Sequence, residues 1–300
     1  MNTTGVGHGH WLWKTSEALR AGLHAFLSLF LFSPINVALS GMSVAALAFL
    51  LYDLPLHPVL LSSAFLVTFS IYTLNLATDR HEDALNFPER ARYFVSEPRL
   101  LLAIAAACYL AALAMGGTVA LGTLPVLCIP LGVGLLYSLR IGGTRLKDRF
   151  IGKNATVSLS WALEAALLPA VFAFRAPAVL LMFSLIFVKG LINTMLFDLR
   201  DVQGDRSAGV RTVPVVLGVA HTRRLLLALN TSLLVWLFFA LQQPSFRLFA
   251  PVFVFCLVFG YAYILYLARE RPAPKMHYGL LLDGEWMLLL VLCLLSLWLL

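Results

Sequence analysis

Charged residues are scarce in this chain, and that scarcity excludes most soluble folds. Of its 300 residues, 12% are charged and 60% are hydrophobic. A soluble domain of this length needs a more polar surface, so the composition predicts an integral, multi-pass membrane protein. The formal net charge of +7 would indicate nucleic acid in a soluble protein. In a membrane protein, basic connections on one side explain it, and we expect no nucleic-acid partner.

Cysteine is also sparse, and its placement argues against a redox or zinc site. Cys108, Cys128, Cys256 and Cys293 each lie inside an apolar run without a CxxC pair or a nearby histidine, as small core residues do. The N-terminus lacks the basic region and cleavage site of a signal peptide. Residues 1–10 are therefore predicted to form a short disordered cytoplasmic tail.

Apolar runs of membrane-spanning length fill the rest of the chain. Residues 11–32 mix charges with aromatics, as an interfacial helix before the first span does. Nine runs follow, each near the ~20 residues that cross a bilayer. The predicted spans are 33–52, 58–79, 99–117, 119–138, 154–174, 177–199, 222–242, 247–268 and 279–300. The sequence thus predicts an all-α protein with one transmembrane domain over residues 11–300.

The basic residues give this layout an orientation. Nineteen of the 22 Lys and Arg residues lie in the N-terminus, in the connections after spans two, four, six and eight, or within the first three residues of the spans that follow those connections. Because basic connections face the cytoplasm, the N-terminus is predicted to be cytoplasmic. Spans two and six then both end in acids on that side, which predicts two similar four-helix halves plus one helix around a central cavity.

The acids at those two ends are the strongest signal in the chain. Asn75, Asp79 and Asp83 are spaced four and four, so a helix stacks them along one stripe. The second cluster, Asp198, Asp201 and Asp205, keeps spacings of three and four. Two facing sets of carboxylates suit Mg²⁺, which binds through a few carboxylates together with the oxygens of a substrate phosphate.

Basic connections near the acids indicate what such a metal would hold. Tyr137, Arg140, Arg145 and Lys147 follow span four, and Arg211 follows span six. Arg, Lys and a Tyr hydroxyl donate hydrogen bonds suited to phosphate oxygens. Acids and bases together predict a diphosphate site on the cytoplasmic side. The alternative is that these bases only set topology and bind anionic lipid.

These motifs resemble the UbiA superfamily of intramembrane prenyltransferases. Asn75-x₃-Asp79-x₃-Asp83 matches the first family motif, and Asp198-Leu-Arg-Asp201-Val-Gln-Gly-Asp205 with the following Thr-x-Pro-Val matches the second. The resemblance implies nine transmembrane helices, Mg²⁺, a polyprenyl diphosphate donor and an acceptor that is often aromatic. Many members carry an Arg-Pro-Leu-x-x-Gly segment after the first motif, whereas residues 86–93 here read Asn-Phe-Pro-Glu-Arg-Ala-Arg-Tyr.

The resemblance and the residue types together assign roles. We expect the metal ligands and catalytic acids to be Asp79, Asp83, Asp201 and Asp205. The expected substrate-binding residues are Asn75, Tyr137, Arg140, Arg145, Lys147, Asp198, Arg211 and Asn193. The implied reaction is Mg²⁺-dependent transfer of a prenyl group from a polyprenyl diphosphate to a small lipophilic or aromatic acceptor, as in quinone, tocopherol or pigment biosynthesis.

Three other functions compete with this prediction. A UbiA-like terpene cyclase would ionise the same donor without a separate acceptor. A secondary transporter would also place acids near a cavity, although transport acids tend to lie at the midplane. A quinone- or pigment-binding scaffold would not need two acid clusters.

Two ionisable residues are predicted deep in the membrane. Glu164 lies ten residues inside span five, and Lys189 nine residues inside span six, each at a depth of roughly 14–15 Å. Because an isolated charge there is costly, their equal depth predicts a buried Glu164–Lys189 pair, either structural or involved in acceptor orientation or proton removal. Asn36 and Asn193 are polar positions within spans, suited to line a cavity or to bond between helices.

Overall fold

A computed structural model describes residues 30–78, 97–138, 140–141, 144–145 and 150–299, with the single residues 22 and 27 before them. At 136–138 and in the short strands it describes the backbone alone. The predicted tail, most of the predicted interfacial helix, and the acids Asp79 and Asp83 lie outside the described residues.

The regular structure of the described residues is helical apart from one hairpin of two strands with two residues each. Its elements are α1 Pro34–Leu51, α2 Pro58–Thr78, α3 Pro98–Val119, α4 Thr123–Leu127, α5 Ile129–Ser138, β1 Arg140–Ile141, β2 Thr144–Arg145, α6 Gly152–Ala170, α7 Ala176–Ser207, α8 Val213–Ala240, α9 Pro244–Arg247, α10 Ala250–Leu267, α11 Lys275–Tyr278, a π-helical turn Gly279–Asp283 and α12 Gly284–Trp298.

Proline and glycine set several of these boundaries. Pro34, Pro58 and Pro98 stand at the first position of their helices, where proline's missing N–H costs nothing. Ser33 caps α1, its hydroxyl accepting from the Ile35 amide at 3.2 Å. Gly218 interrupts α8 with φ +77°, a conformation that glycine adopts without a steric penalty.

Within the described residues, seven helices are long and apolar enough to cross a membrane. They are α1, α2, α3, α7, α8, α10 and the stretch Lys275–Trp298. The predicted fourth span corresponds to two shorter helices, α4 and α5, and the fifth to α6, which carries Lys153, Asn154 and Glu164. The protein is therefore an integral membrane protein with at least this many candidate spans.

Neighbouring helices pack in chain order and the last returns to the first. α2 packs on α1 and α3, α7 on α6 and α8, and α12 on α1. Small residues allow close approach where helices cross, as is common in membranes. A Cβ at Gly190 of α7 would lie 2.9 Å from the Ser158 hydroxyl and 3.1 Å from the Ser158 Cα of α6.

Gly190 supplies a test of this packing. Gly190→Ala should push α6 away from α7 and lower the free energy of unfolding by about 1–3 kcal/mol, the usual cost of overpacking. Gly132→Ala is the matched control, because a Cβ there meets nothing within 4 Å. Thermal unfolding in detergent should show a lower Tm for the first variant only, and equal Tm values would contradict the close crossing.

Candidate active site

The acidic end of α7 lies within a continuous helix. α7 runs for 32 residues to Ser207, so Asp198, Asp201 and Asp205 are all helical and one turn apart. Asp198 and Asp205 are buried, and the Asp201 side chain is 14% exposed. Buried carboxylates need compensating partners, and the neighbouring residues identify some of them.

Asp198 joins α7 to the start of α6. Its Oδ1 accepts from Lys153 Nζ at 2.8 Å, and its Oδ2 accepts from Asn154 Nδ2 at 2.8 Å. This arrangement fixes the relative height of α6 and α7 and holds the Lys153 ammonium at the acidic end. Sequence reasoning missed Lys153, although a lysine in the first turn after a basic connection was a usable signal.

The contacts of Asp198 with Lys153 and Asn154, here called the Asp198 clamp, can be tested by substitution. Asp198→Leu leaves Lys153 and Asn154 without this acceptor, and a buried donor left unpaired costs about 1–3 kcal/mol. We expect a lower Tm, with most of it restored in Asp198→Leu/Asn154→Leu. If Asp198→Leu instead kept its Tm and changed only substrate affinity, the direct substrate-binding role expected from the sequence would be favoured over the clamp.

Asp201 is paired with its neighbour in the chain. Arg200 Nε and Nη2 donate to the two Asp201 oxygens at 2.9 and 2.6 Å, and the guanidinium lies 4.8 Å from the Phe197 ring centroid. Arg200 also lines a cavity of about 150 Å³ together with Lys275 and Asp283. We call this the Arg200 cavity; it brings two cations to the acidic end of α7.

A second cavity shares one lining residue, Tyr72, with the Arg200 cavity. The Glu164 cavity, about 70 Å³, is lined by α2, α5 and α6. It extends from Asn75 and Thr156 down to Thr68, Ser160 and Glu164. Tyr72 lines both cavities. Tyr72 of α2 therefore lies between the Arg200 cavity and the Glu164 cavity.

The remaining predicted site residues are dispersed or only partly described. The hairpin pairs Arg140 with Arg145 at the Cα level, Tyr137 lies in α5, and Lys147 is outside the described residues. Arg211 is exposed between α7 and α8. Asn193 donates to the Leu282 carbonyl at 3.4 Å, which connects α7 to the π-helical turn. The substrate-binding roles of these residues stay predictions.

The predicted Glu164–Lys189 pair is wrong. Lys189 Nζ donates at 2.6 Å to Glu285 Oε1 and at 2.6 Å to the Tyr263 hydroxyl, and both ends of the ion pair are fully buried. Lys189 therefore faces α10 and α12, whereas Glu164 faces α2 and α5. Depth along a helix fixes height but not direction around the axis, and the two side chains point to different neighbours.

Asn36, the other asparagine predicted within a span, connects α1 to the C-terminal part of the described chain. Asn36 Nδ2 donates to Asp283 Oδ2 at 3.3 Å, and the Ser40 hydroxyl donates to the Asp283 carbonyl at 2.8 Å. These hydrogen bonds hold α1 against the π-helical turn at Asp283, which lines the Arg200 cavity. In the part of the chain that the structure describes, no three His, Cys, Asp or Glu side chains converge as a metal site.

Comparison with known proteins decides the family. The model of the UbiA prenyltransferase family matches residues 37–282, which run from within α1 into the π-helical turn. The chain belongs to the UbiA prenyltransferase family. The resemblance seen in the two acid motifs is thereby confirmed.

Curated relatives of this UbiA-family chain match it in part. Digeranylgeranylglyceryl phosphate synthase from Halobacterium salinarum is 33% identical over 171 residues, which are 54% of this chain and 56% of that protein. The match therefore spans about half the length of the curated relatives.

Solved structures of UbiA-family proteins share the fold over nearly the whole chain. A UbiA homologue from Archaeoglobus fulgidus bound to GPP and Mg²⁺ superposes with a TM-score of 0.69 at 14% identity, covering 90% of this chain and 99% of that one. A digeranylgeranylglyceryl phosphate synthase gives 0.54 at 13% identity, covering 87% and 91%. At these identities the likeness concerns the fold.

Proposed function

We propose that this UbiA-family protein transfers a prenyl group from a prenyl diphosphate to a lipophilic acceptor in a Mg²⁺-dependent reaction. The observation that carries the proposal is the acidic face of α7, with Lys153, Arg200 and Lys275 gathered around its end. Arg200 and Lys275 line one cavity, and Arg200 binds Asp201 next to it. Bases that can hold phosphate therefore lie next to an acid that can hold a metal. Family membership and the Archaeoglobus structures with GPP or DMAPP and Mg²⁺ support it.

The described residues suit half of a Mg²⁺ site. Asp201 and Asp205 carry hard oxygen donors one turn apart on one helix, and several waters and a diphosphate could complete the shell. Both Asp201 oxygens accept from Arg200, so Asp201 would bind the metal through its remaining lone pairs. The other predicted ligands, Asp79 and Asp83, lie outside the described residues. When bound, Mg²⁺ supplies a Lewis acid that stabilises the negative charge of the leaving diphosphate.

The chain's own residues then divide the work. Lys153, held by Asp198, and Arg200, next to Asp201, place cations where diphosphate oxygens would lie. The apolar helices around the site exclude water from the allylic cation, which water would otherwise capture. Tyr72 separates this head region from the Glu164 cavity, so the reacting carbon of the donor would lie near the boundary between the two.

The acceptor is proposed to be a glyceryl phosphate that already carries one prenyl chain. The name of the Halobacterium relative supports this class, and Lys275, the other cation of the Arg200 cavity, is placed to bind the acceptor's phosphate. The aromatic acceptor expected from the sequence is the alternative. Nine membrane-crossing segments, a cytoplasmic N-terminus and a cytoplasmic active site remain part of the proposal.

A competition experiment separates the two acceptor classes. Purified protein with Mg²⁺ and labelled geranylgeranyl diphosphate should prenylate geranylgeranylglyceryl phosphate at least about tenfold faster than 4-hydroxybenzoate or a dihydroxynaphthoate. Lys275→Met should raise the KM for the glyceryl phosphate and Arg200→Met the KM for the donor, with Arg269→Met, exposed after α10, as control. Faster transfer to a phenol would replace the glyceryl phosphate by the aromatic class.

A further inference from the structure

Among the residues that the structure describes, none forms a hydrogen bond or an ion pair with the Glu164 carboxyl. It lies ten residues, or about 15 Å, along α6 from Asn154. Its Oε1 is shielded from solvent and has no hydrogen-bond partner among the described residues. Lys189, the cation that the sequence predicted as its partner, forms its ion pair with Glu285 instead. An acid inside a membrane helix without a partner is costly and points to a functional site.

The surroundings of Glu164 are suited to a small polar group. Its side chain lines the Glu164 cavity together with Thr68 and Ser160, and no Lys or Arg is among the described lining residues. A cavity of about 70 Å³ has room for several waters or for one compact polar group. The missing partner is therefore a neutral hydrogen-bond donor, such as a hydroxyl.

The direction of α6 aims this carboxyl at the reaction centre. α6 begins at the acidic end, where Lys153 meets Asp198, and helical side chains tilt toward the N-terminus of their helix. The Glu164 carboxyl is thus directed back along the cavity toward Tyr72 and Asn75. A prenyl diphosphate has no hydrogen-bond donor beyond its diphosphate, so its hydrocarbon chain cannot satisfy Glu164, whereas an acceptor can.

We propose that the Glu164 cavity holds the hydroxyl of the acceptor and that Glu164 accepts first its hydrogen bond and then its proton. This step rests on the prenyl transfer proposed above. The bond between C1 of the donor and the diphosphate oxygen breaks, and its electron pair leaves with the diphosphate. A lone pair of the acceptor oxygen forms the new bond to C1, and the hydroxyl proton passes to Glu164 Oε1. The products are a prenyl ether and diphosphate.

The kinetic test uses Glu164→Gln, which keeps the shape but takes no proton. With geranylgeranyl diphosphate, Mg²⁺ and geranylgeranylglyceryl phosphate, kcat should fall about 100-fold or more, in the range of general-base catalysis, while the donor KM stays unchanged. With the acceptor's hydroxyl replaced by a thiol, which loses its proton far more easily, the defect should shrink to a few-fold. Glu270→Gln, at an exposed acid, is the matched control.

A binding arm decides the point even without turnover. In a thermal-shift titration without donor or Mg²⁺, Glu164→Met should weaken binding of geranylgeranylglyceryl phosphate about tenfold and leave binding of its deoxy analogue unchanged. Equal losses for both ligands, or equal kinetic defects for hydroxyl and thiol acceptors, would overturn the role of Glu164. Absence of transfer in the wild-type protein with every acceptor would overturn the proposed function instead, and the binding result would stand.

Discussion

Lys189→Met is expected to lower the free energy of unfolding by about 3–5 kcal/mol, the usual cost of removing one partner of a buried ion pair. The substitution leaves the Glu285 carboxylate charged and fully buried between α7, α10 and α12. It also removes the 2.6 Å hydrogen bond from Lys189 to the Tyr263 hydroxyl. Chemical or thermal unfolding in detergent measures the loss.

A double-mutant cycle identifies the partner. Lys189→Met with Glu285→Gln should recover most of the lost stability, because the second substitution removes the uncompensated charge. Lys189→Met with Glu164→Gln should show simple additivity, since those residues face different helices. Strong coupling between Lys189 and Glu164, with none between Lys189 and Glu285, would contradict the observed pairing.

Asp201→Asn and Asp205→Asn should each lower kcat by at least about 100-fold while the protein remains folded. Each change removes one negative charge from the half-site proposed for Mg²⁺, where a bound metal contributes several kcal/mol of charge stabilisation, and each 1.36 kcal/mol is tenfold in rate. Initial rates over a Mg²⁺ titration are the measurement. The midpoint of the titration should move to higher Mg²⁺ in any variant that retains activity.

Asp53→Asn is the control for this pair, because it makes the same chemical change at an exposed residue after the other end of α1. Its rate and its Mg²⁺ midpoint should match the wild type. Near-normal rates in both Asp201→Asn and Asp205→Asn at saturating Mg²⁺ would remove α7 from the metal site.

Much of the helical layout follows from composition and proline. Helices begin at Pro34, Pro58 and Pro98, where apolar runs also begin. Proline positions and apolar runs can both be read from a few consecutive residues, so they predict helix starts from sequence alone. The acid spacing on α7 likewise predicts one helical face, and α7 places Asp198, Asp201 and Asp205 there. Local sequence patterns therefore predicted where the helices lie and at which end of the bundle the candidate site is found.

The partners of individual side chains were less accessible from sequence. Equal depth suggested Glu164 for Lys189, yet rotation about α7 turns Lys189 toward Glu285, 96 residues away in the chain. Asp198 was grouped with the substrate-binding residues by its motif, but its contacts with Lys153 and Asn154 depend on how α6 crosses α7. Helix rotation and crossing are set by packing among many residues, which no single motif records.

Product analysis under single-turnover conditions addresses the proposed reaction directly. Protein in excess over geranylgeranyl diphosphate labelled at C1, with Mg²⁺ and geranylgeranylglyceryl phosphate, should convert the label into one prenyl ether and release one diphosphate per ether formed. Chelation of Mg²⁺ should stop both products together. Release of diphosphate with the label in a cyclic hydrocarbon, or with no product joined to the acceptor, would contradict prenyl transfer and favour a cyclase.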